Sequence, residues 1–243
     1  MTPGILISIK NFLLDILFPR FCLGCRKEGT YLCEDCFSLI KILEHQHCPF
    51  CSKIVFNGRT CESCRKKKKL DGIYFATLYE NPLVKKMIHY FKYEPFVKEL
   101  AKPLTFLIIT HLLNLNKTSC HDLKNKSMLL PIPLHKQRLK WRGFNQSEEI
   151  AKELSEFLKI PVQANVLTKA FKTQSQTGLK VRQRIKNVRG TFEVKRKKQV
   201  KGKKILLIDD VLTTGSTMEE AAFTLKQSGA REVWGIVVAR EKV

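Results

Sequence analysis

One run constrains the fold of this chain more than any other: Lys204-Ile205-Leu206-Leu207-Ile208-Asp209-Asp210-Val211-Leu212-Thr213-Thr214-Gly215-Ser216-Thr217. Its unbroken apolar stretch predicts a strand buried on both faces, as the strands of a parallel sheet are. Two carboxylates follow, at the strand end where an open α/β sheet opens its ligand crevice. Hydroxyls and one glycine then lead into a helix predicted to pass Leu225 and to stop at Gly229. Backbone N–H groups, the hydroxyls and the positive helix end therefore converge on one anion. Thr213, Thr214, Gly215, Ser216 and Thr217 form a candidate cup for a single monophosphate. The Gly-x-x-x-x-Gly-Lys pattern of a triphosphate-wrapping loop is missing there, which argues against an ATPase of that kind.

Carboxylates repel phosphate but accept hydrogen bonds from vicinal hydroxyls. Asp209 and Asp210 beside such a cup thus predict a ligand whose sugar diol lies one sugar length from its phosphate, as in a ribose 5-phosphate.

The remainder of this half reads as alternating strand and helix. Residues 72–79 predict a strand with Ile73, Phe75 and Thr77 on one side; Val84, Met87, Ile88 and Phe91 give a buried helical face after Pro82. A second helix is expected over residues 96–115, a polar loop over 116–127 with Cys120 as a free thiol, and a short strand over 128–132. Asn145 with Glu148 reads as a capping box opening a helix to about Leu158. That alternation predicts a parallel sheet covered by helices on both faces. His89 receives no role.

The other constraint is cysteine spacing. Cys22 and Cys25, Cys33 and Cys36, Cys48 and Cys51, and Cys61 and Cys64 form four Cys-x-x-Cys knuckles. Two knuckles supply the four sulfurs of a tetrahedral zinc site, so eight thiolates predict two structural zinc ions. A disulfide framework is disfavoured because the chain reads as having no export signal and so as lying in a reducing compartment. Pairing in chain order closes the shorter loops, although a cross-braced arrangement carries the same signature. Four-thiolate cages leave no open position for a water nucleophile, which disfavours a zinc hydrolase. Three segments result: an amphipathic helix in residues 1–20, a double zinc ribbon in 21–69 and an α/β domain in 70–243.

Forty-four Lys and Arg against 22 Asp and Glu leave a formal charge of +22, a field that gathers phosphates, nucleic acids or acidic surfaces. A basic bias with solvated lysine runs is the plainer reading of the same count. No stretch approaches the about 18 apolar residues of a spanning helix. The N-terminal helix reads as a packing element, with peripheral membrane contact as the lesser option.

At the level of motifs, the run from Asp209 to Thr217 resembles the signature of type I phosphoribosyltransferases, in which the acidic pair holds the ribose hydroxyls and the loop holds the 5-phosphate. The likeness is closer to the ComF family of competence-associated phosphoribosyltransferase-like proteins. It is carried by Leu14-Asp15-Ile16-Leu17-Phe18-Pro19, Ile88-His89-Tyr90-Phe91-Lys92-Tyr93, Pro131-Ile132-Pro133-Leu134, Arg142-Gly143-Phe144-Asn145-Gln146, and Ser175-Gln176 with Arg182 and Asn187. This resemblance implies a cytoplasmic, zinc-bearing protein that helps carry single-stranded DNA inward during natural transformation, with a DNA-uptake helicase as partner. Lys169 departs from the arginine that the family usually shows there.

As a catalyst, such a site would displace pyrophosphate from phosphoribosyl pyrophosphate, with Mg²⁺ neutralising the leaving group. Lys136, Arg138 and Arg142 are the candidate pyrophosphate cations, and Arg182 or Arg184 would close over the site from a flap in residues 173–184. Asp209, Asp210, Arg142 and Arg182 are the expected catalytic residues. The alternatives are a scaffold that senses phosphoribosyl pyrophosphate or binds single-stranded DNA without transfer, and a nucleobase phosphoribosyltransferase of salvage metabolism. Phe21, Tyr31, Phe37, Phe50 and Phe56 near the knuckles would stack bases in the DNA reading and fill the ribbon core in the plainer one.

Overall fold

The computed structural model describes residues 19–51, 53–115, 127–170 and 189–241. The amphipathic helix expected in residues 1–20, up to residue 18, together with Cys120 and the 173–184 segment with Arg182 and Arg184, lies outside them. The chain divides into two compact units, Met1–Lys41 and Ile42–Val243.

In the first unit two turns present cysteines. Cys22 accepts from the backbone of Arg26 at 3.0 Å, and Cys33 caps α1 (Glu34–Ser38). The second unit begins with a smaller ribbon. β1 (Gln46–His47) pairs antiparallel with β2 (Ile54–Val55), and α2 (Glu62–Arg65) follows Cys61.

Four strands build the main sheet: β3 (Gly72–Leu78), β4 (Ser127–Pro131), β7 (Lys204–Leu212) and β8 (Glu232–Arg240), in the order β3-β8-β7-β4 and parallel throughout. Leu129 on β4, Leu206 and Ile208 on β7, and Ile236 and Val238 on β8 are buried, as are the alternate residues Leu130, Ile205, Leu207, Val233 and Val237. Burial on both faces is what an apolar run without polar alternation requires. One face carries Met218, Ala221, Ala222 and Leu225 of α8 (Ser216–Gln227) and the small antiparallel pair β5 (Leu167–Lys169) and β6 (Phe192–Val194), with α7 (Lys197–Val200) beside it. Against the sheet also pack α4 (Ala101–Asn114) and α6 (Gln146–Leu158), which contact each other as well.

Two further helices shape the rim where the strands end. In α3 (Pro82–Lys92), Asn81 Oδ1 accepts from the N–H groups of Leu83 and Val84, and Val84, Met87, Ile88 and Phe91 are buried as their spacing requires. In α5 (Lys136–Arg142), Gly143 takes a left-handed C-cap.

Two local expectations are corrected. The helix expected from residue 96 begins at Ala101, because Phe96 sits at φ 54° and a left-handed residue cannot continue a right-handed helix. At Asn145 the cap forms, with Oδ1 accepting from Ser147 N–H, but Glu148 turns outward to Lys152 at 3.0 Å instead of completing a box.

Candidate functional site

The C-terminal ends of β4 and β7 open onto a cavity of about 820 Å³. Asp209 and Asp210 line it, together with Thr213, Gly215, Ser216 and Thr217 of the loop that opens α8. The acids and the phosphate cup expected from sequence therefore face one space. Gly215 sits at φ 73°, a conformation open to glycine at little cost. Its carbonyl accepts from Glu219 N–H at 2.9 Å, the first helical bond. Thr214 does not line the cavity; its hydroxyl lies 2.7 Å from Ser216 Oγ.

The two acids are not equivalent. Asp210 is 3% exposed; its Oδ1 meets Lys92 Nζ at 2.8 Å and its Oδ2 accepts from Gln146 Nε2 at 3.3 Å. Burial alone would drive off the Lys92 proton, but the Asp210 carboxylate overrides it and raises the ammonium above its ordinary value. Asp209 is half-buried and accepts from Ser147 Oγ at 2.9 Å and from Asp210 N–H at 3.0 Å. Burial, reinforced by the neighbouring Asp210 charge, pushes its carboxyl up to about 7, with Lys92 and Ser147 pulling the other way. The cavity is thus lined by one acid paired with a lysine and by a second that titrates near neutrality.

Arg138 and Arg142, one turn apart on α5, both line the cavity. Arg142 is 6% exposed, and burial draws its guanidinium below its usual value. Among the described residues, its Nε and Nη1 have no hydrogen-bond partner, a costly state that a bound anion would relieve. Lys136 is exposed and does not line the cavity. Lys169 does line it, and burial with Arg138 nearby pushes it down to about 8. Arg182 and Arg184 lie outside the described residues.

Lys92, Gln146 and Ser147 were given no role by sequence reasoning. Their partners sit on a distant strand, and the signals at hand were a lysine ending an otherwise apolar helical face and the place of Lys92 and Gln146 in the motifs of the resemblance.

The eight paired cysteines form two groups in chain order, Cys22, Cys25, Cys33 and Cys36, then Cys48, Cys51, Cys61 and Cys64, with sulfurs within 4.8 Å of one another. Cys22 and Cys33 stand 3.7 Å apart, Cys25 and Cys33 3.5 Å, and Cys51 and Cys61 3.7 Å. A tetrahedron of ~2.3 Å metal–sulfur bonds has an edge of about 3.8 Å, whereas a disulfide needs about 2.05 Å. The donor set thus fits two closed sites of a double zinc ribbon. Among the described residues, no helix is long and apolar enough to cross a membrane.

The phosphoribosyl transferase domain family matches residues 142–242, and the double zinc ribbon domain family matches residues 13–65. Competence protein F of Haemophilus influenzae is 29% identical over 231 residues, covering 90% of this chain and 96% of that protein. The DNA utilization protein YhgH of Escherichia coli K12 is 31% identical over 224 residues, 89% of this chain and 96% of that protein. Competence protein ComFC of Bacillus subtilis is 26% identical over 209 residues, with 84% and 81% covered. The two family matches span the thiolate clusters and the acid-and-loop rim, the similarity to these relatives runs over most of the chain, and the chain belongs to the ComF family.

Proposed function

We propose that the rim cavity binds phosphoribosyl pyrophosphate with Mg²⁺, and that the protein uses this site while handling single-stranded DNA during uptake. The observation that carries the reading is the convergence of Asp209, the Gly215 loop and the Arg142 guanidinium, whose Nε and Nη1 lack hydrogen-bond partners, on one cavity. In this reading the N–H groups and hydroxyls of Thr213, Ser216 and Thr217 hold the 5-phosphate at the start of α8. Asp209 accepts from a ribose hydroxyl, and Ser147 fixes its orientation. Arg142 and Arg138 meet the pyrophosphate in the fork geometry that suits phosphate oxygens. Lys92 and Gln146 take up Asp210, so Asp209 is the acid proposed to face a divalent cation. When bound, Mg²⁺ would neutralise the leaving pyrophosphate. Zinc is the metal proposed for the two thiolate sites, and the compartment is read as the reducing cytoplasm, where thiolates persist. The formal charge of +22 and the DNA-related names of the relatives support the nucleic-acid half of the reading.

A thermal-shift titration with phosphoribosyl pyrophosphate and Mg²⁺ tests the site: wild type should be stabilised and the Asp209→Ala/Asp210→Ala double variant should not. Absence of any rise in wild type would remove the site itself. Single-stranded DNA binding should weaken steeply with salt; a salt-insensitive complex would count against phosphate contacts.

One observation favours a second reading, a scaffold that binds the same ligand without transfer: Asp210 is committed to Lys92 and Gln146 and so is withheld from the sugar. Release of pyrophosphate in the presence of Mg²⁺ and an acceptor separates the two.

A further inference from the structure

The second thiolate cluster reaches the phosphate loop. Phe50 stands between Cys48 and Cys51, and its ring covers Gly215: a Cβ built on that glycine would lie 3.3 Å from the ring. Arg240, at the end of β8 and 4% exposed, brackets Phe50 by donating from Nη1 to Cys48 O at 2.9 Å and from Nη2 to Cys51 O at 3.3 Å. Lys68 Nζ stands 4.7 Å from the centre of the same ring. On the far side of the knuckle pair, Glu219 in the first turn of α8 accepts from Lys69 N–H at 3.0 Å and from Leu70 N–H at 3.1 Å. The loop apex and the first helical turn of the cup, and the end of the neighbouring strand β8, are thus each tied to the ribbon.

We propose that the metal-loaded Cys48, Cys51, Cys61 and Cys64 site is a positioning element for the phosphate loop, acting through Phe50. Metal fixes the Cys48–Cys51 turn, the turn fixes the ring, and the ring presses on the one residue of the loop that has no side chain to resist or adjust. Gly215 then serves two requirements: a left-handed φ and a flat surface for an aromatic lid. Cys51, Cys61 and Cys64 are all partly exposed, so metal leaving this cluster would be felt at the cup as lost affinity for a sugar phosphate. The proposal rests on the sugar-phosphate reading for its consequence but not for the mechanical link.

The test uses the full chain loaded with zinc. Phe50→Ala should keep two zinc ions by native mass spectrometry, exchange the amides of residues 213–217 faster, and bind ribose 5-phosphate about tenfold more weakly. Phe50→Leu, which restores bulk, should recover most of both, and Phe56→Ala, a change at a side chain 86% exposed, should alter neither. Cys61→Ser/Cys64→Ser, with zinc content falling from two to one, should reproduce the Phe50→Ala exchange pattern. Loop exchange and affinity unchanged in Phe50→Ala and in the double cysteine variant would overturn the proposal while leaving the sugar-phosphate reading intact. Faster loop exchange in those variants, in a protein whose wild type ignores ribose 5-phosphate, would establish the link and sink the ligand reading instead.

Discussion

Lys92 Nζ lies 2.8 Å from Asp210 Oδ1, and so the end of α3 is fastened to the end of β7 where both line the cavity. The Asp210 side chain is 4% exposed and that of Lys92 23%, which decides how each partner answers to substitution. Lys92→Met should leave a buried carboxylate uncompensated; breaking a buried pair from one side costs roughly 3–5 kcal/mol, and the partial exposure of Lys92 puts the expectation at the lower end. Asp210→Asn should cost less, because the lysine stem can lift its charge into solvent. Urea unfolding midpoints check the order, and equal midpoints for the two variants would contradict it.

Asp209 makes binding and stability depend on pH with opposite signs. Its folded value of about 7 lies above the ordinary 3.8, so the fold prefers the protonated acid; that contribution is full below the ordinary value and is lost as pH rises through 7. A sugar hydroxyl needs the carboxylate as acceptor, so ribose 5-phosphate affinity should rise by about tenfold from pH 6 to pH 8 through this group. Asp209→Asn should abolish that increment, leaving only the titration of the phosphate itself, and should raise the melting temperature above pH 7. Calorimetry across that range reads both.

Much of this architecture was legible because burial on two faces leaves a mark that one residue type at a time can carry: Ile205 to Ile208 had nowhere to go but a central strand, and the four cysteine pairs announced two tetrahedral sites, although which knuckles share a site was settled only by the structure. Asp209 and Gly215 were legible for the same reason, since they sit next to that strand in the chain. What stayed hidden depends on approach between distant segments. Ser147 and Gln146 read only as the first turn of a capped helix, and the packing of α6 beside β7 is what turns them toward the acids. Phe50 read as ribbon core or base stacker because nothing local announces a glycine awaiting it from the other end of the chain. Phe56, read the same way, is exposed, which removes the core reading for it and leaves the stacking one untested.

Arg142 should behave as a residue kept for a ligand at the expense of the free protein. With Nε and Nη1 buried and unpartnered, it carries an unsatisfied-donor cost of about 1–3 kcal/mol. Arg142→Met keeps the length of the side chain and removes the donors, so the ligand-free protein should melt at the same temperature or higher. The rise on adding pyrophosphate should disappear in that variant, and Arg142→Lys should restore little of it because a point charge cannot form the fork. A destabilised ligand-free Arg142→Met would mean that the guanidinium serves packing instead.

His111 sets an acid limit on the second unit that is independent of the cavity. It is fully buried on α4, with Nδ1 2.8 Å from Leu43 O and Nε2 2.8 Å from Gln46 Nε2, and Gln46 in turn accepts from Phe75 N–H at 3.3 Å. One tautomer satisfies this chain: Nδ1–H donates to the carbonyl and bare Nε2 accepts from the amide. A second proton would face the Gln46 N–H, and burial accordingly depresses the imidazole to about 4. A base whose folded value is lowered contributes stability that is complete above its ordinary value of 6.5 and is lost as pH falls toward 4. Integrated over that window the loss amounts to about 3 kcal/mol. His111→Gln replaces the ring with a group that does not titrate, so its stability at pH 7 should be lower and its slope between pH 6.5 and 4 shallower than that of wild type. Parallel slopes in urea titrations of the two proteins would show that other groups set the acid limit.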